Sequence, residues 1–209
     1  MPRNIDSNAM QLDGNARKAD RAHPFRRFPV RALTILCLCC LLAGAACTTQ
    51  SVAPAPSRTD FEAGFSPRGS SLDIILKCIN GAERSILVAA YSFTSKPIST
   101  ALLEAHKRGV AVRVVADKTG NSSRYSAVTF LANHGVPVRV NSRYAIFHHK
   151  FMVIDGRHLE TGSFNYSAAA VNKNAENVLI LRDVQEIAGI YGREWEKLWN
   201  ESEPVEAQY

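Results

Sequence analysis

The pattern of apolar and polar positions predicts alternating helices and strands from about residue 69 onward. Apolar residues recur at helical spacing in GSSLDIILKCIN (69–80), which predicts a helix entered at Ser70 or Ser71. The continuous apolar run in 84–93 predicts a buried strand. An amphipathic helix is expected over 95–109, ended by Gly109, and a second strand over 110–117. This strand–helix–strand order predicts a βαβ unit with parallel strands.

The second half of the pattern predicts a further helix, a short strand and a hairpin. The helix is expected over 122–134 and the strand over 136–140. In 146–162, Asp155-Gly156 stands between two strand-like runs, which is a strong hairpin signal, and a two-residue turn would fix the hairpin register. A last strand (177–183) and a closing helix complete an α/β fold with a mixed sheet flanked by helices. The sequence contains no internal repeat, so one site per chain is expected.

The N-terminal region has the pattern of an export signal. Fifteen uncharged residues (32–46) follow Arg26, Arg27 and Arg31, and this run is shorter than the roughly 20 residues of a membrane-spanning helix. We expect a signal peptide or lipoprotein leader over 1–47, a proline-containing linker over 48–57, and a catalytic domain over 58–209. A permanent anchor helix remains an alternative, and Met10 is a possible alternative start.

The cysteines raise the question of a lipid anchor. Four of the five lie at 37, 39, 40 and 47, so only Cys78 belongs to the folded domain, which excludes a disulfide framework and a cysteine metal site there. Simple cleavage after the small residues 43–46 competes with lipid attachment through Cys47. Either outcome predicts an exported protein. Simple cleavage predicts a periplasmic or secreted protein, and lipid attachment predicts a membrane-anchored lipoprotein.

The distribution of charge is informative only within residues 58–182. The formal net charge is +6, but much of the excess lies in the leader. Residues 58–182 carry 16 basic and nine acidic side chains, as a partner bearing phosphates would favour. An ordinary solvated surface explains the same numbers equally well.

The candidate chemistry starts with an imidazole and an ammonium two residues apart. In a strand, His148 and Lys150 share a face and His149 points to the other. A neutral imidazole is a usable nucleophile near pH 7, since the ordinary pKa of histidine is about 6.5. The Lys150 ammonium would stabilise the non-bridging oxygens of a phosphate diester. The opposed faces of the two histidines argue against a metal site.

The returning strand of the hairpin brings polar groups to the same place. Ser163 and Asn165 are again two apart and could donate hydrogen bonds to a phosphate oxygen, and a helix beginning at Tyr166 would add backbone donors. Taken singly, each has a structural explanation: Asn165 as a helix cap, Asp155 as a turn residue and Glu176 as a charge at a strand entry.

The joint spacing resembles the phospholipase D superfamily. Its HxKxxxxD signature is matched by His148, Lys150 and Asp155, and its GSxN element by Gly162, Ser163 and Asn165. The resemblance extends over roughly residues 60–205 and is strongest to the small single-motif bacterial endonucleases of that superfamily. It implies a phospholipase D/nuclease-like α-β-α sandwich with one motif per chain, no cofactor and no metal.

The resemblance also implies a mechanism shared between two chains. His148 of one subunit would form a phosphohistidine, while the same residue of the other subunit protonates the leaving oxygen and then activates water. Lys150, Ser163 and Asn165 would hold the phosphate, Glu176 would orient the histidine ring, and Asp155 would support the motif from behind. A homodimer is therefore expected, with the active site at its interface.

Three functions compete on the sequence alone. The local basic balance favours an endonuclease with little sequence preference, with Lys118, Arg124, Arg139 and Arg143 expected near the cleft. A phospholipase D acting on lipid head groups would need an apolar loop, for which 144–147 is a short candidate. A catalytically silent envelope lipoprotein that binds anionic polymers is opposed by the intact motif.

Overall fold

A computed structural model describes residues 60–121 and 126–208 of the chain. The predicted leader (1–47) and linker (48–57), with Cys47, lie outside the described residues, as does Arg124. Within the described part, no helix is long and apolar enough to cross a membrane.

Eight strands and five helices make up the fold of the described residues. In chain order they are β1 Asp60–Ser66, α1 Ser71–Asn80, β2 Ser85–Ala90, α2 Lys96–Lys107, β3 Ala111–Asp117, α3 Ala127–Asn133, β4 Val138–Asn141, β5 Lys150–Ile154, β6 His158–Gly162, α4 Ala168–Asn172, β7 Glu176–Arg182, α5 Gln185–Asn200 and β8 Glu203–Pro204. The strands form one sheet in the order β1-β7-β6-β5-β2-β3-β4-β8.

The sheet is mixed, as predicted. Strands β2, β3 and β4 are parallel, and every other pairing is antiparallel. The predicted βαβ unit is β2-α2-β3, and Gly109 after α2 takes a φ of 93° that favours glycine. The α/β prediction with a mixed sheet flanked by helices is confirmed.

Two apolar layers hold the helices to the sheet. On one face, α1 to α4 pack on a large core that includes Ile75, Leu102 and Met152. On the other, α5 packs through Trp195, whose indole N–H donates to the Val88 carbonyl at 2.8 Å. Burying that ring without a partner for its N–H would cost free energy, so this bond fixes α5 over the centre of the sheet.

The hairpin prediction is correct in place and wrong in register. Asp155 and Gly156 both have positive φ (55° and 69°), as the Asp-Gly signal predicts. However, Ile154 pairs with His158, so three residues separate the paired positions instead of two. Arg157 is the additional residue, and it donates its N–H to the Ile154 carbonyl at 3.1 Å.

Several element boundaries also differ from expectation. The helix expected over 122–134 is described from Ala127, with Ser126 accepting the Thr129 N–H as its cap. The helix expected to begin at Tyr166 begins at Ala168. The edge strands β1 and β8 were not predicted from the sequence.

Candidate functional site

The topology brings the motif residues to one edge of the sheet. Strand β5 starts where β2 ends, because these strands are antiparallel and Ala90 pairs with Lys150. Strand β6 ends at the same edge with Gly162, where β7 begins. The residues before β5, after β6 and at the start of β7 therefore meet at what we call the catalytic edge, beyond the carboxyl ends of β2, β3 and β4.

A buried carboxylate holds the segment that carries His148. Asp117, 3% exposed at the end of β3, accepts the Phe147 N–H at 3.0 Å and the Gly120 N–H at 2.7 Å. Phe147 itself is 1% exposed, so both the main chain and the side chain immediately before His148 are fixed. The extended segment 146–149 precedes β5, so His148 stands on the approach to the strand instead of within it.

His148 and His149 point to opposite faces, as the spacing predicts. The exposed ring of His148 lies 4.8 Å from the Tyr91 ring, between centroids. His149 contacts Phe147 and Phe151 edge-on, on the α5 side of the sheet, where burial lowers its pKa. The two imidazoles cannot ligate one metal ion in this arrangement. Across residues 60–121 and 126–208 there is no cluster of three or more His, Cys, Asp or Glu side chains able to hold a metal.

Lys150 lies beneath His148 with only 8% of its surface exposed. Its Nζ donates to the His148 carbonyl at 2.9 Å and stands 5.2 Å from the Tyr91 ring centroid. Burial lowers the pKa of Lys150, and the nearby Glu176 carboxylate opposes part of that shift. An ammonium ion that has lost most of its hydration and has few protein partners is well prepared to bind an anion.

Ser163 and Glu176 form a second polar group at this edge. Ser163 Oγ donates to Glu176 Oε2 at 2.6 Å and accepts the Asn177 N–H at 3.1 Å. Asn174 Nδ2 donates to the other carboxylate oxygen of Glu176 at 2.9 Å. Within the described part of the chain, no hydrogen bond joins Glu176 to His148, so the expected orienting contact is absent from the single chain.

Asn165 does not cap the following helix. The α4 cap is Ser167, whose Oγ accepts the Ala170 N–H at 3.2 Å. Asn165 Oδ1 is buried and has no partner among residues 60–121 and 126–208. A buried polar atom of this kind is costly unless something pairs with it, so the structural explanation for Asn165 is weaker than the sequence alone suggests.

Asp155 lies at the opposite end of β5 from His148. The structure therefore places it away from the residues that are expected to bind the phosphate. Its carboxylate accepts backbone N–H groups of Glu83 (3.1 Å), Arg84 (2.7 Å) and Ser85 (3.0 Å). Burial alone would raise the pKa of Asp155, but these donors outweigh it and lower the pKa overall. Asp155 thus ties the α1–β2 connection to the β5–β6 turn and supports the motif strand from behind.

Three of the four basic residues expected near the cleft lie in the described part of the chain, and each already has a partner. Lys118 pairs with Glu203 at 3.2 Å, and Arg143 with Glu201 at 3.8 Å. Arg139 donates to the Trp199 carbonyl at 2.8 Å and lies 4.5 Å from its ring centroid. The C-terminal segment after α5 therefore neutralises the part of the edge near β4 and β8.

Sequence reasoning missed a buried pair next to the GSxN element. Glu160, 1% exposed on β6, accepts the hydroxyl proton of the buried Tyr166 at 2.5 Å, and its other oxygen has no partner within the described residues. Burial raises the pKa of Glu160 to about 8. The Tyr166 carbonyl accepts the N–H groups of Thr94 and Ser95, so the pair connects β6 to the start of α2 beside Asn165. A glutamate at an inward-facing position of HLETG was the only available signal.

Comparison with known proteins identifies relatives that are phospholipase D-like enzymes. Residues 75–199 match a family model described as cardiolipin synthase, PLD-like domain. A phospholipase D from Rickettsia conorii is 37% identical over 139 residues, which cover 66% of this chain and 69% of that protein. A mitochondrial cardiolipin hydrolase from Xenopus laevis is 37% identical over 136 residues, 65% of this chain and 64% of that protein. The chain thus spans about two thirds of the length of each.

Solved structures confirm the fold. The phospholipase D family member Nuc from Salmonella typhimurium superimposes with a TM-score of 0.70 at 38% identity, covering 72% of this chain and all of that chain. NucT from Helicobacter pylori, at 23% identity and a TM-score of 0.62, shares the fold.

Proposed function

This chain belongs to the phospholipase D superfamily and is a phosphodiester hydrolase, and we propose that it is a metal-independent endonuclease acting through a phosphohistidine intermediate. The observation that carries the proposal is the exposed His148 imidazole next to the nearly buried, partly desolvated Lys150 ammonium, at the edge of the sheet where β6 leads into Asn165. These groups supply a nucleophile and donors for phosphate oxygens without a cation.

The first step forms a bond between an imidazole nitrogen of His148 and phosphorus, and breaks the bond from phosphorus to the leaving oxygen. The leaving oxygen takes a proton from the imidazolium of His148 of the partner subunit. In the second step that imidazole accepts a proton from water, whose oxygen attacks phosphorus and releases His148. Lys150 and Asn165 donate to the non-bridging oxygens throughout, and Ser163 joins them when its hydroxyl proton turns from Glu176 to the phosphate.

This sequence of steps requires two chains, because each has one motif. The loop before His148 leaves Tyr144 40% and Ile146 56% exposed, and apolar side chains so close to the nucleophile suit an interface between copies. We expect Ile146→Asp to shift the purified protein toward monomer in sedimentation velocity. Phe61→Asp is the control, since Phe61 is 65% exposed on β1, far from His148. Dissociation by the Phe61 variant alone would place the interface elsewhere.

The substrate assay separates an endonuclease from a lipid hydrolase. Plasmid DNA, RNA and cardiolipin or phosphatidylcholine vesicles are each incubated with the purified domain and excess chelator. The proposal expects cleavage of DNA or RNA despite the chelator, and its loss in His148→Gln. His149→Gln is the matched control, because that imidazole lies on the other face. Loss of activity on chelation would exclude the proposed mechanism.

A phospholipase D is the second candidate. Curated relatives carry that name, and Tyr144 and Ile146 could contact acyl chains at a membrane surface. Hydrolysis of vesicles without cleavage of nucleic acid would select it.

We also propose that the protein is exported, because residues 1–47 have the sequence pattern of a leader. An exported enzyme, processed at 43–46 or lipidated at Cys47, would meet its substrate outside the cytoplasm. Mass spectrometry of the mature N-terminus distinguishes the two, since a diacylglyceryl cysteine adds a large apolar mass.

A further inference from the structure

Four cations stand out because they have no ion pair and no side-chain hydrogen bond within residues 60–121 and 126–208. They are Arg68, Lys96, Lys173 and Arg193. Most other cations of the described chain are held by carboxylates or carbonyls, as Lys118, Arg139 and Arg143 are. An exposed cation with no protein partner is free to bind an external anion.

Three of these four lie at the catalytic edge. Arg68 is two residues beyond Ser66, which pairs with Glu176 at the start of β7. Lys173 directly follows α4 and precedes Asn174, whose carbonyl accepts the Ser66 hydroxyl at 3.4 Å. Both therefore flank the Ser163–Glu176 group on the β1 side.

Lys96 lies on the other side of the reaction centre, at the start of α2. Thr94 and Ser95, just before it, donate N–H groups to the Tyr166 carbonyl at 2.9 and 2.8 Å, next to Asn165. Lys96 lines an open groove of about 230 Å³ together with Thr94, Thr100 and Ser126. The groove offers hydroxyl groups and one ammonium beside the apolar side chains of Ala127 and Phe130, which suits a phosphate and its sugar.

The three cations also share a face of the sheet with the nucleophile. Arg68 lies shortly before α1, Lys96 begins α2 and Lys173 directly follows α4, and these helices pack on the core that contains Met152 and Ile154. Lys150 points to that same face because it alternates with those residues along β5. His148 lies beside it, since both side chains contact the Tyr91 ring. From β1 to β2 the edge spans four strand spacings, roughly 20 Å at about 4.8 Å each.

We propose that Arg68, Lys173 and Lys96 form a phosphate track along the catalytic edge that binds a nucleic acid strand on both sides of the phosphate being cleaved. A single lipid phosphate would occupy only the central pocket, whereas a polymer reaches all three cations. The end of the edge near β8 takes no part, because Glu201 and Glu203 neutralise its cations. The track rests on the proposed endonuclease function and specifies how that function recognises its substrate.

The test compares a long and a short substrate. The triple variant Arg68→Ala, Lys96→Ala, Lys173→Ala is assayed on single-stranded DNA and on bis(p-nitrophenyl) phosphate, with the intact dimer. We expect the ratio of kcat/KM on DNA to kcat/KM on the small diester to fall at least tenfold. The salt dependence of DNA binding should also become shallower by about 2 in log-log slope, since each phosphate that the protein neutralises adds about 0.7 to the slope on a single strand.

Arg193→Ala is the matched control, because this cation is equally unpaired within the described residues but lies on α5. It should leave the ratio and the slope at wild-type values, and the three single variants provide the test if the triple variant fails to fold. If the wild type cuts DNA but the variants keep its kcat/KM ratio and its salt slope, the phosphate track is overturned and the proposed endonuclease is not. Failure of the wild type to cut DNA or RNA, with the small diester hydrolysed, would overturn the proposed endonuclease and the track with it.

Discussion

The buried Glu160 carboxyl should make the stability of this fold decrease with rising pH across the neutral range. The ordinary pKa of glutamate is 4.5, and burial raises the pKa of Glu160 to about 8 in the folded protein. Between these values the folded state holds a proton that the unfolded chain has released. This contribution to stability is complete below pH 4.5 and is lost as the pH rises toward 8.

The magnitude follows from the width of that window. Each pH unit within it changes the unfolding equilibrium constant about tenfold, so the loss reaches roughly 3 kcal/mol by pH 7. The neighbouring groups Tyr166 and Cys78 do not titrate there, since burial raises the pKa of the Cys78 thiol to about 12 and raises the pKa of Tyr166 well above its ordinary value. His149 and His158 oppose the trend, because burial lowers their pKa values and their contribution grows as the pH rises.

Glu160→Gln isolates the effect, because it removes the titrating proton and leaves the histidines in place. Urea unfolding of wild type and variant at half-unit steps from pH 5 to 8 gives the difference in unfolding free energy. We expect the unfolding free energy of the variant, relative to that of the wild type, to increase steadily from pH 5 to 8, by several kcal/mol in total. Parallel pH profiles for the two proteins would refute the assignment of a protonated carboxyl at Glu160.

Three further predictions concern the frame and the shared site. Asp155→Ala should lower the unfolding free energy by about 2–4 kcal/mol in urea titrations, since three backbone N–H groups lose their acceptor, while turnover per folded molecule changes little. Asp117→Ala should reduce kcat at least tenfold through misplacement of His148, with a stability loss of about 1–3 kcal/mol in the same titrations. Mixing His148→Ala with Lys150→Ala protein should restore little activity, because every site of the proposed dimer needs both motifs.

Each of these has an outcome that contradicts it. Full stability of Asp155→Ala would mean that the turn does not depend on the carboxylate. An unchanged kcat in Asp117→Ala would mean that the hydrogen bond from the Phe147 N–H to Asp117 is not needed to position His148 for catalysis. Recovery of a large fraction of wild-type activity in the mixture would rule out a site shared between subunits.

The sequence predicts those features that depend on local spacing. The shared face of His148 and Lys150, the opposite direction of His149 and the position of the Asp155-Gly156 turn all follow from the two-residue period of a strand and from turn chemistry. The extra residue in the turn, Arg157, leaves no comparable signal, because its conformation depends on pairing of the whole hairpin.

Contacts between distant parts of the chain explain what the sequence could not predict. Strand β1 pairs with β7 across more than 100 residues, and its Phe61 and Phe65 leave one side of the edge strand exposed, so no clear burial pattern marks it. Of the basic residues expected near the cleft, Lys118 and Arg143 pair with Glu203 and Glu201, and Arg139 bonds to the Trp199 carbonyl. The positions of these partners follow from the packing of α5. Nothing in the sequence around Lys96 and Lys173 distinguishes them from ordinary surface lysines.

The anchor at Phe147 also bears on how this chain tolerates changes in length. Residues added between β4 and Phe147 would enlarge a surface loop, and Asp117 would still hold the same main-chain atom in place. One residue added between Phe147 and Lys150 would rotate the alternation by half a period and direct the nucleophilic ring toward α5. Insertions should therefore be tolerated in the loop before the Phe147 amide and should abolish the site when they fall between Phe147 and Lys150.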